Sequence, residues 1–322
     1  MPNSSPFPVS SKRSVSILMV TYESETDLDR CIKSLEGAAP RSDLTISAWD
    51  NASSDGSVKK LQKAKIDVVQ SSENIGFAPA VNRLTESVDT EFIFLLNPDA
   101  APFPGAIDVL VDAALEKQDR DMFCGRTVFP DGRENRTSVW AAITPLSALM
   151  FALGLAKMFP FSAVMNPEAM PDWDRNSDRA VDVATGCAVL IRTATWRALD
   201  GFDPRYWMYG EEADLQFRMV ESGRKRPWFV SGAKFIHDKA DEIPEALHSG
   251  SQFLRIFSVL RARATLMRTN WRGLRRLLVT PILSLLALRY GVQSLLNGPN
   301  ARLRSRLWRT RQDWMAGYPK TD

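Results

Sequence analysis

The sequence has few of the residues that usually build structural metal and redox centres. It contains 3 cysteines and 2 histidines among 322 residues. Cys31, Cys124 and Cys187 lie far apart and match no metal-binding or redox spacing. An odd number of cysteines without a pattern is typical of a reducing compartment, so we expect a cytoplasmic protein.

Signals of several other protein classes are also missing. No G-x-G-x-x-G follows the first predicted strand and no Walker loop occurs, which argues against dinucleotide and P-loop chemistry. Residues 1–13 are rich in Pro and Ser and lack the apolar segment of a secretory signal. We therefore expect these residues to form a flexible N-terminal arm.

Negative charge is scarce in the C-terminal part of the chain. From Asn270 onward there are ten basic residues but only two acidic ones, Asp313 and Asp322. This segment carries +8 while the whole chain carries +3, so residues 1–269 carry −5. A basic tail on an acidic body predicts an anionic partner, either lipid headgroups or nucleic acid. Because the body is acidic and shows no nucleic-acid-binding motif, we expect no nucleic acid partner.

The first 120 residues contain short apolar strands that alternate with helices. Strands are predicted at 15–20, 44–49, 66–69 and 92–96, and helices at about 26–36, 57–64, 78–87 and 104–116. The run 92–96 is entirely apolar, which predicts a strand buried on both faces. Short connections between alternating elements predict an α/β fold with a mainly parallel sheet flanked by helices.

Polar clusters follow each of these strands. They are Thr21-Tyr22-Glu23, Asp50-Asn51, Asn74 and Asn97-Pro98-Asp99. Each cluster alone could be a solvated turn, with the Asx side chain bonded to its own backbone. Because the carboxyl ends of parallel strands meet at one edge of the sheet, however, the four clusters together predict a ligand site there.

These motifs resemble the donor half of family 2 glycosyltransferases, and most closely a rhamnosyltransferase-like branch. The resemblance rests on Val-Thr-Tyr, Asp-Asn-Ala-Ser-Ser-Asp-Gly-Ser, Glu-Asn-Ile-Gly-Phe-Ala and Leu-Asn-Pro-Asp, and it spans roughly residues 15–238. It implies a GT-A fold with a nucleotide-sugar-binding half (14–120) and an acceptor-binding, catalytic half (121–250). Residues 251–322 would form a basic, amphipathic helical appendage.

The resemblance also implies roles for individual residues. Donor contacts are implied for Thr21, Tyr22, Glu23, Asp50, Asn51, Asn74, Gly76, Asn82, Asn97 and Gly186. Asn97-Pro98-Asp99 replaces the family's Asp-x-Asp metal motif, with an amide in place of the first carboxylate. Asp99 is thus the implied ligand of a divalent cation, Mg²⁺ or Mn²⁺, because both prefer carboxylate oxygen. His237 matches a family histidine at the metal or diphosphate, although a lone histidine is more often a satisfied polar residue.

Three carboxylates, Glu211, Glu212 and Asp214, begin a helix predicted after Gly210. The family has Glu-Asp-x-Asp-Leu at this place, and its general base position is occupied here by Glu212. Glu211 is an alternative base. Acids are also favoured at helix N-termini for structural reasons, and Asp214 would then pair with Arg218 one turn later. Asp214 is accordingly expected to be structural or to bind the acceptor.

The middle of the chain is less regular. Residues 139–156 carry no charge, and we expect either a buried helical hairpin or an apolar surface that faces lipid or a lipid-linked acceptor. Residues 181–191 are predicted to be one strand with Gly186 inside it, where a ligand approaches closely. Two short strands are predicted at 228–230 and 234–236. Beyond them, Lys239 could touch phosphate, whereas His248 has no family counterpart.

Apolar and basic residues recur at helical spacing between residues 252 and 268. The apolar run 277–288 that follows has only twelve residues, too few to span a bilayer. We expect residues 252–317 to lie peripherally on the inner face of the cell membrane, the alternative being helices that pack on the catalytic domain and expose their arginines.

The sequence therefore predicts an inverting, metal-dependent glycosyltransferase of cell-surface polysaccharide synthesis. Its donor would be a nucleotide sugar, with dTDP-L-rhamnose as the first to consider, and its acceptor a saccharide or lipid-linked saccharide. The alternative is a non-catalytic relative that binds nucleotide or tethers an assembly at the membrane. Asn97 and Glu212, which both depart from the family pattern, motivate that alternative.

Overall fold

The computed structural model describes residues 12–237, 249–296, 298 and 300–319. Lys239, His248 and residues 1–11 of the predicted N-terminal arm lie outside the described residues. The first strand already begins at Arg13, so the predicted boundary at residue 13 is shifted by one residue.

A ten-stranded sheet lies at the centre of the fold, and a separate two-stranded ribbon pairs β8 with β10. The strands are β1 Arg13–Thr21, β2 Ser42–Asp50, β3 Asp67–Gln70, β4 Phe92–Leu96, β5 Ala100–Pro102, β6 Met122–Val128, β7 Glu134–Asn135, β8 Val139–Trp140, β9 Arg179–Ala180, β10 Val183–Ala184, β11 Ala188–Arg192 and β12 Trp228–His237. Along the main path the order is β3-β2-β1-β4-β11-β6-β12-β5. The pairs within β3-β2-β1-β4 are parallel, and so is β6 with β12, whereas β11 runs antiparallel to both neighbours. The sheet is thus mixed and mainly parallel, as predicted.

Thirteen α-helices surround the sheet in the described part of the chain. They are α1 Glu25–Leu35, α2 Ser57–Lys63, α3 Phe77–Thr85, α4 Ala106–Glu116, α5 Pro145–Leu153, α6 Leu155–Met158, α7 Thr193–Ala198, α8 Glu211–Glu221, α9 Ser249–Asn270, α10 Leu274–Leu277, α11 Val279–Ser294, α12 Ala301–Arg309 and α13 Arg311–Ala316. The first four lie close to their predicted positions, because apolar periodicity defined them well.

Strand β4 is buried on both faces. Phe92, Phe94 and Leu96 belong to one hydrophobic cluster, which also includes side chains of α1 and α4. Ile93 and Leu95 belong to a second cluster, which includes side chains of α3, α7 and α8. Alternate side chains of one strand therefore serve two cores, which is what an uninterrupted apolar run predicts.

The structure corrects two predicted strands. The segment predicted as one strand at 181–191 divides into β10 and β11, so Gly186 lies between strands rather than within one. Conversely, the two strands predicted at 228–230 and 234–236 are one strand, β12, whose register with β6 shifts between Val230 and Lys234. The shift is a local bulge, which a sequence pattern alone does not distinguish from a break.

The C-terminal helices have a hydrophobic core of their own, which they share with α5. Phe253, Leu260 and Met267 of α9 are buried in it, and Arg263 forms a bidentate ion pair with Glu168 at 2.6 and 2.8 Å. Helix α9 is therefore packed against the protein along one side, whereas Leu254 on it is 54% exposed, so the membrane contact predicted for this helix stays a prediction. The buried side of α9 agrees with the alternative, packing against the rest of the protein.

The apolar part of the appendage is longer than predicted. Leu274–Ser294 is the one helical stretch among the described residues that is long and apolar enough to cross a membrane by length and composition. Pro281 and the flanking arginines interrupt the apolar pattern, so the run 277–288 by itself is too short to span a bilayer. The uncharged segment 139–156 is divided among β8, α5 and α6, with Ala148 and Ala152 buried but Leu146 and Leu153 exposed. One side of α5 is thus buried, as expected for a helix inside the protein, and the other side is an exposed apolar surface.

Candidate active site

Asp99 and His237 meet at the carboxyl ends of β4 and β12. Asp99 follows β4 in the Asn-Pro-Asp turn, and His237 is the last residue of β12, where it pairs with Ala100 of β5. This pairing places Nε2 of His237 at 3.5 Å from Oδ1 of Asp99, with only 12% and 13% of the two side chains exposed. Two residues 138 positions apart in the sequence are therefore brought to one point, as the resemblance implied.

The pair fits a divalent cation that is completed by substrate oxygens. Two ligands of one ion, each about 2.1 Å from it, lie about 3 Å apart, close to the separation of Asp99 and His237. Nδ1 of His237 is buried and has no hydrogen-bond partner among the described residues. No group of three or more His, Cys, Asp or Glu side chains suited to a metal occurs in that part of the chain. Mg²⁺ and Mn²⁺ sites that use few protein ligands commonly rely on substrate phosphates.

Glu211 and Glu212 begin helix α8, but their environments differ. Glu211 is almost fully buried, and its Oε2 has no hydrogen-bond partner among the described residues. Burial, followed by the negative charge of Glu212, raises the pKa of Glu211 well above its usual value. This raised pKa makes Glu211 the weaker candidate for the general base, because it keeps its proton to a higher pH than an exposed glutamate does. Glu212 is only partly buried, which leaves it as the better-placed base of the two.

The segment Thr185–Cys187 connects the metal-ligand pair to the glutamates. The Asn97 N–H donates to the Cys187 carbonyl at 3.1 Å, and the Gly186 N–H approaches Oε1 of Glu212 at 3.5 Å. Burial raises the pKa of Cys187 to about 12, and the negative charges of Asp99 and Glu212 contribute to this rise. Both carboxylates are therefore near the Cys187 thiol, which places Asp99 and Glu212 in the same region of the protein.

Asp214 lies one turn further along α8 and is used within the fold. Its Oδ2 accepts from Nε of Arg218 at 2.7 Å, and Oδ1 is 3.6 Å from the Arg205 guanidinium. The Tyr206 hydroxyl also donates to Oδ1, at 3.4 Å. A carboxylate with three partners and little exposure does not act as a base, so the structural alternative for Asp214 is favoured.

The carboxyl ends of β1 and β2 lie on one side of the groove that we propose for the donor. Asp50 is 2% exposed and its carboxylate accepts from the Thr21 hydroxyl at 2.8 Å and from Ser53 N–H at 2.9 Å. The Glu23 carboxylate accepts from Ser54, whereas Tyr22 is 54% exposed. Thr21 and Asp50 thus fix the shape of the groove, while Tyr22 presents an open aromatic face to it.

The other side of the groove is built around Asn51, Asn74 and Gly76. The Asn51 amide donates to the Gly76 carbonyl at 3.1 Å, and Oδ1 of Asn74 accepts from the Gly76 N–H at 3.0 Å. Gly76 has φ +93°, and a Cβ at this position would lie 2.2 Å from the Trp207 carbonyl oxygen. Only glycine fits there, because both the backbone conformation and the contact exclude a side chain.

Asn82 requires a correction. Its Nδ2 donates to the Phe202 carbonyl at 2.7 Å, and its Oδ1 accepts from the Phe202 N–H at 2.9 Å. Both ends of the amide are therefore used to hold a turn 120 residues away, and we remove Asn82 from the donor contacts. The sequence pattern could not distinguish this role, since an amide suits both.

Three residues near the site were missed by the sequence reasoning. Arg30 of α1 donates to the Asp99 carbonyl at 3.3 Å, and the Asn135 amide donates to the His237 carbonyl at 2.9 Å. Trp207, which covers Gly76, accepts from the Phe77 N–H at 2.8 Å. Of these three residues, only Trp207 has a feature that the sequence shows, because it is an aromatic residue shortly before the acidic cluster that begins at Glu211.

Comparison with known proteins shows which proteins this chain resembles. The family described as "Glycosyl transferase family 2" matches residues 16–167. The N-acetylglucosaminyl-diphospho-decaprenol L-rhamnosyltransferase of Mycobacterium tuberculosis is 28% identical over 254 residues, which cover 70% of this chain and 76% of that enzyme.

Solved structures share the fold at much lower identity. A mannosyltransferase from Pyrobaculum calidifontis, in complex with GDP-Man and Mn²⁺, aligns with a TM-score of 0.54 and 13% identity, covering 95% of this chain and 84% of that one. GalNAc-T7 with UDP, GalNAc and Mn²⁺ aligns with a TM-score of 0.59 and 14% identity, covering 96% and 59%. At such identities the likeness extends to the fold alone.

Proposed function

Because this chain is a rhamnosyltransferase-like family 2 glycosyltransferase with the GT-A fold, we propose that it transfers an L-rhamnosyl group from a nucleotide donor to a lipid-linked saccharide. The observation that carries the proposal is the Asp99–His237 pair at the carboxyl ends of β4 and β12, together with Glu212 beside Gly186 and near Cys187. The specific donor we propose is dTDP-L-rhamnose.

The donor would lie along the strand ends, with its base near Tyr22 and its diphosphate near Asp99 and His237. Tyr22 offers an exposed ring for stacking, while the buried Thr21–Asp50 hydrogen bond keeps the floor of the groove in place. The sugar would lie beside Asn97 and Gly186, between the diphosphate and the general base Glu212. A divalent cation held by Asp99 and His237 would neutralise charge on the departing diphosphate.

Glu212 is the proposed general base. It would take the proton of the acceptor hydroxyl as that oxygen forms a bond to the anomeric carbon. The bond between that carbon and the diphosphate oxygen breaks, and the nucleoside diphosphate leaves with the electron pair. Attack from the face opposite the leaving group inverts the configuration. A glutamate can occupy the position of the family's aspartate here, since a positioned base needs only to lie within hydrogen-bond reach of the proton.

The acceptor proposal comes from the relatives. The mycobacterial relative is an N-acetylglucosaminyl-diphospho-decaprenol L-rhamnosyltransferase, and another relative is an O-antigen biosynthesis protein of Myxococcus xanthus. We therefore propose an acceptor that carries its saccharide on a polyprenyl diphosphate. Such an acceptor resides in the membrane, so the protein would act on the cytoplasmic side of the cell membrane and contact it peripherally through its C-terminal region.

Transfer from dTDP-L-rhamnose to a polyprenyl-diphosphate saccharide, measured with and without Mg²⁺ or Mn²⁺, tests the proposal. Asp99→Ala and Glu212→Gln should each lower kcat by about 10²–10⁴-fold. Val69→Asp, at an exposed position on β3, is the matched control and should retain full turnover. Full turnover in both site variants would refute these residue roles.

Nucleoside diphosphate release separates the enzyme from the non-catalytic alternative. A catalytic chain should release dTDP from the donor slowly even without acceptor, and faster with it. If binding of the donor raises thermal stability but no dTDP is ever released, the chain is a nucleotide-binding relative without transferase activity.

A further inference from the structure

The exposed apolar side chains of this protein are concentrated in two segments. Of the nineteen large apolar residues that are exposed in the described part of the chain, thirteen belong to 146–164 or 274–296. They are Leu146, Leu153, Met158, Phe159, Phe161, Val164, Leu274, Leu277, Leu278, Leu288, Val292, Leu295 and Leu296. Single exposed apolar residues are ordinary, but a concentration of this kind marks an interaction surface.

The two segments meet where α5 packs against α11. Ala148 and Ala152 share a core there with Leu283 and Leu286. The Arg289 guanidinium closes this contact by donating to the Phe151 carbonyl at 2.6 Å. Between α5 and the α10–α11 stretch lies a groove of about 380 Å³ with an almost purely apolar lining, including Leu146, Leu149 and Leu278.

Neither segment of this surface contains an acidic residue, and 274–296 contributes Arg275, Arg276 and Arg289. Residues 142–167 and 271–312 contain no Asp or Glu, and the second stretch contains nine arginines. Arg275 and Arg276 are exposed directly beside Leu274 and Leu277. We name this combination, residues 146–164 with 274–296 and their arginines, the arginine-rimmed apolar face.

We infer that the arginine-rimmed apolar face inserts into the headgroup region of an anionic lipid bilayer. Apolar side chains enter the acyl boundary while the arginines bind lipid phosphates, which is how interfacial helices bind. The inference rests on the proposed function in one respect: a lipid-linked acceptor lies in a bilayer, which explains why the protein would bind there. It is narrower than the expectation for residues 252–317, because α9 packs against the protein along one side.

Helix 274–294 lies in the membrane plane and does not cross it. Its inner side, with Val279, Leu283 and Leu286, is buried against the appendage core. Gly291 contacts Trp308 of α12 so closely that a Cβ there would lie 3.0 Å from the indole. A helix that crossed the bilayer would have to leave both contacts, although its length alone permits crossing.

A second copy of this chain is a poorer occupant of the same face. Two copies that met through it would oppose arginines with arginines, without a carboxylate from either segment to neutralise them. Like charges placed together at an interface oppose association. An anionic bilayer supplies the opposite charge and an apolar layer at once.

Vesicle flotation of the full chain, without donor or acceptor, tests the inference. We expect the protein to float with vesicles of phosphatidylcholine plus phosphatidylglycerol, to do so less at high salt, and to stay behind with phosphatidylcholine alone. Leu274→Asp with Leu277→Asp, and separately Phe161→Asp, should weaken binding about tenfold or more. Val69→Asp, equally an apolar-to-acid change at an exposed site, should bind like the wild type.

Three outcomes would overturn the inference: no flotation with anionic vesicles, equal flotation of all variants, or a dimer in solution that the Leu274→Asp, Leu277→Asp variant makes monomeric. Release of dTDP measured without vesicles keeps this test separate from the proposed function. The face variants should retain release, since they lie outside the site. A chain that floats but releases no dTDP would refute the proposed activity but would still support membrane binding through the arginine-rimmed apolar face.

Discussion

Glu211→Gln should abolish one component of the pH dependence of folding. In the unfolded chain a glutamate ionises at a pKa of about 4.3. In the folded protein, burial and the charge of Glu212 hold the pKa of Glu211 well above this value. Between the two pKa values the folded state retains a proton that the unfolded state has lost. The free energy of unfolding must therefore fall as the pH rises through this window.

The magnitude follows from the single proton involved. One proton released on unfolding lowers the free energy of unfolding by about 1.4 kcal/mol for each pH unit. Gln has the shape of a protonated Glu and does not titrate, so the variant lacks this slope. Relative to the wild type, Glu211→Gln should gain stability as the pH rises above about 4.3, by at most about 1.4 kcal/mol per pH unit, until the pH reaches the raised pKa of Glu211 in the folded protein.

Urea unfolding of both proteins at several pH values measures this difference. Glu212→Gln serves as a second probe, because removal of the neighbouring charge lowers the pKa of Glu211 and should end the slope at a lower pH. Parallel stability curves for the wild type and Glu211→Gln would refute the claim that the pKa of Glu211 is raised in the folded protein. The same variants bear on catalysis, since Glu211→Gln should lower kcat far less than Glu212→Gln.

Two further substitutions test the groove and the helix that carries the base. Gly76→Ala should destabilise the protein by about 1–3 kcal/mol and weaken donor binding, because the new Cβ displaces Trp207. Thermal unfolding and donor titration measure the two effects. Gly37→Ala is the control, because position 37 has open space around it. Asp214→Asn should lower the free energy of unfolding by about 1–3 kcal/mol while the folded enzyme keeps its kcat, because the ion pair with Arg218 is lost; a collapse of kcat at unchanged stability would instead make Asp214 catalytic.

The sequence predicted those parts of the fold in which local pattern and burial coincide. An apolar run such as 92–96 has one good solution, a strand with two covered faces, and its polar end then defines an edge of the sheet. The approach of Asp99 to His237 was also expected. That expectation came from the family resemblance, because no local pattern shows that β12 ends beside β5.

Roles that depend on a distant partner could not be predicted. An amide at position 82 could bind the donor or hold a turn in place. Only its two hydrogen bonds to the Phe202 backbone distinguish these roles. The amphipathic spacing in 252–268 likewise predicts a helix with one apolar side. It does not say whether protein or lipid covers that side, and in α9 the cover is protein.

The protonation of Glu211 depends in part on the end of the chain. The Tyr318 hydroxyl donates to the Met208 carbonyl at 2.6 Å, and its ring packs on Tyr206 at 5.2 Å. The negative charge of Glu211 would in turn raise the pKa of Tyr318, so the two side chains lie near each other. The C-terminal segment thus covers the loop from which the catalytic helix starts. Packing of the C-terminal segment against this loop therefore contributes to the burial of Glu211.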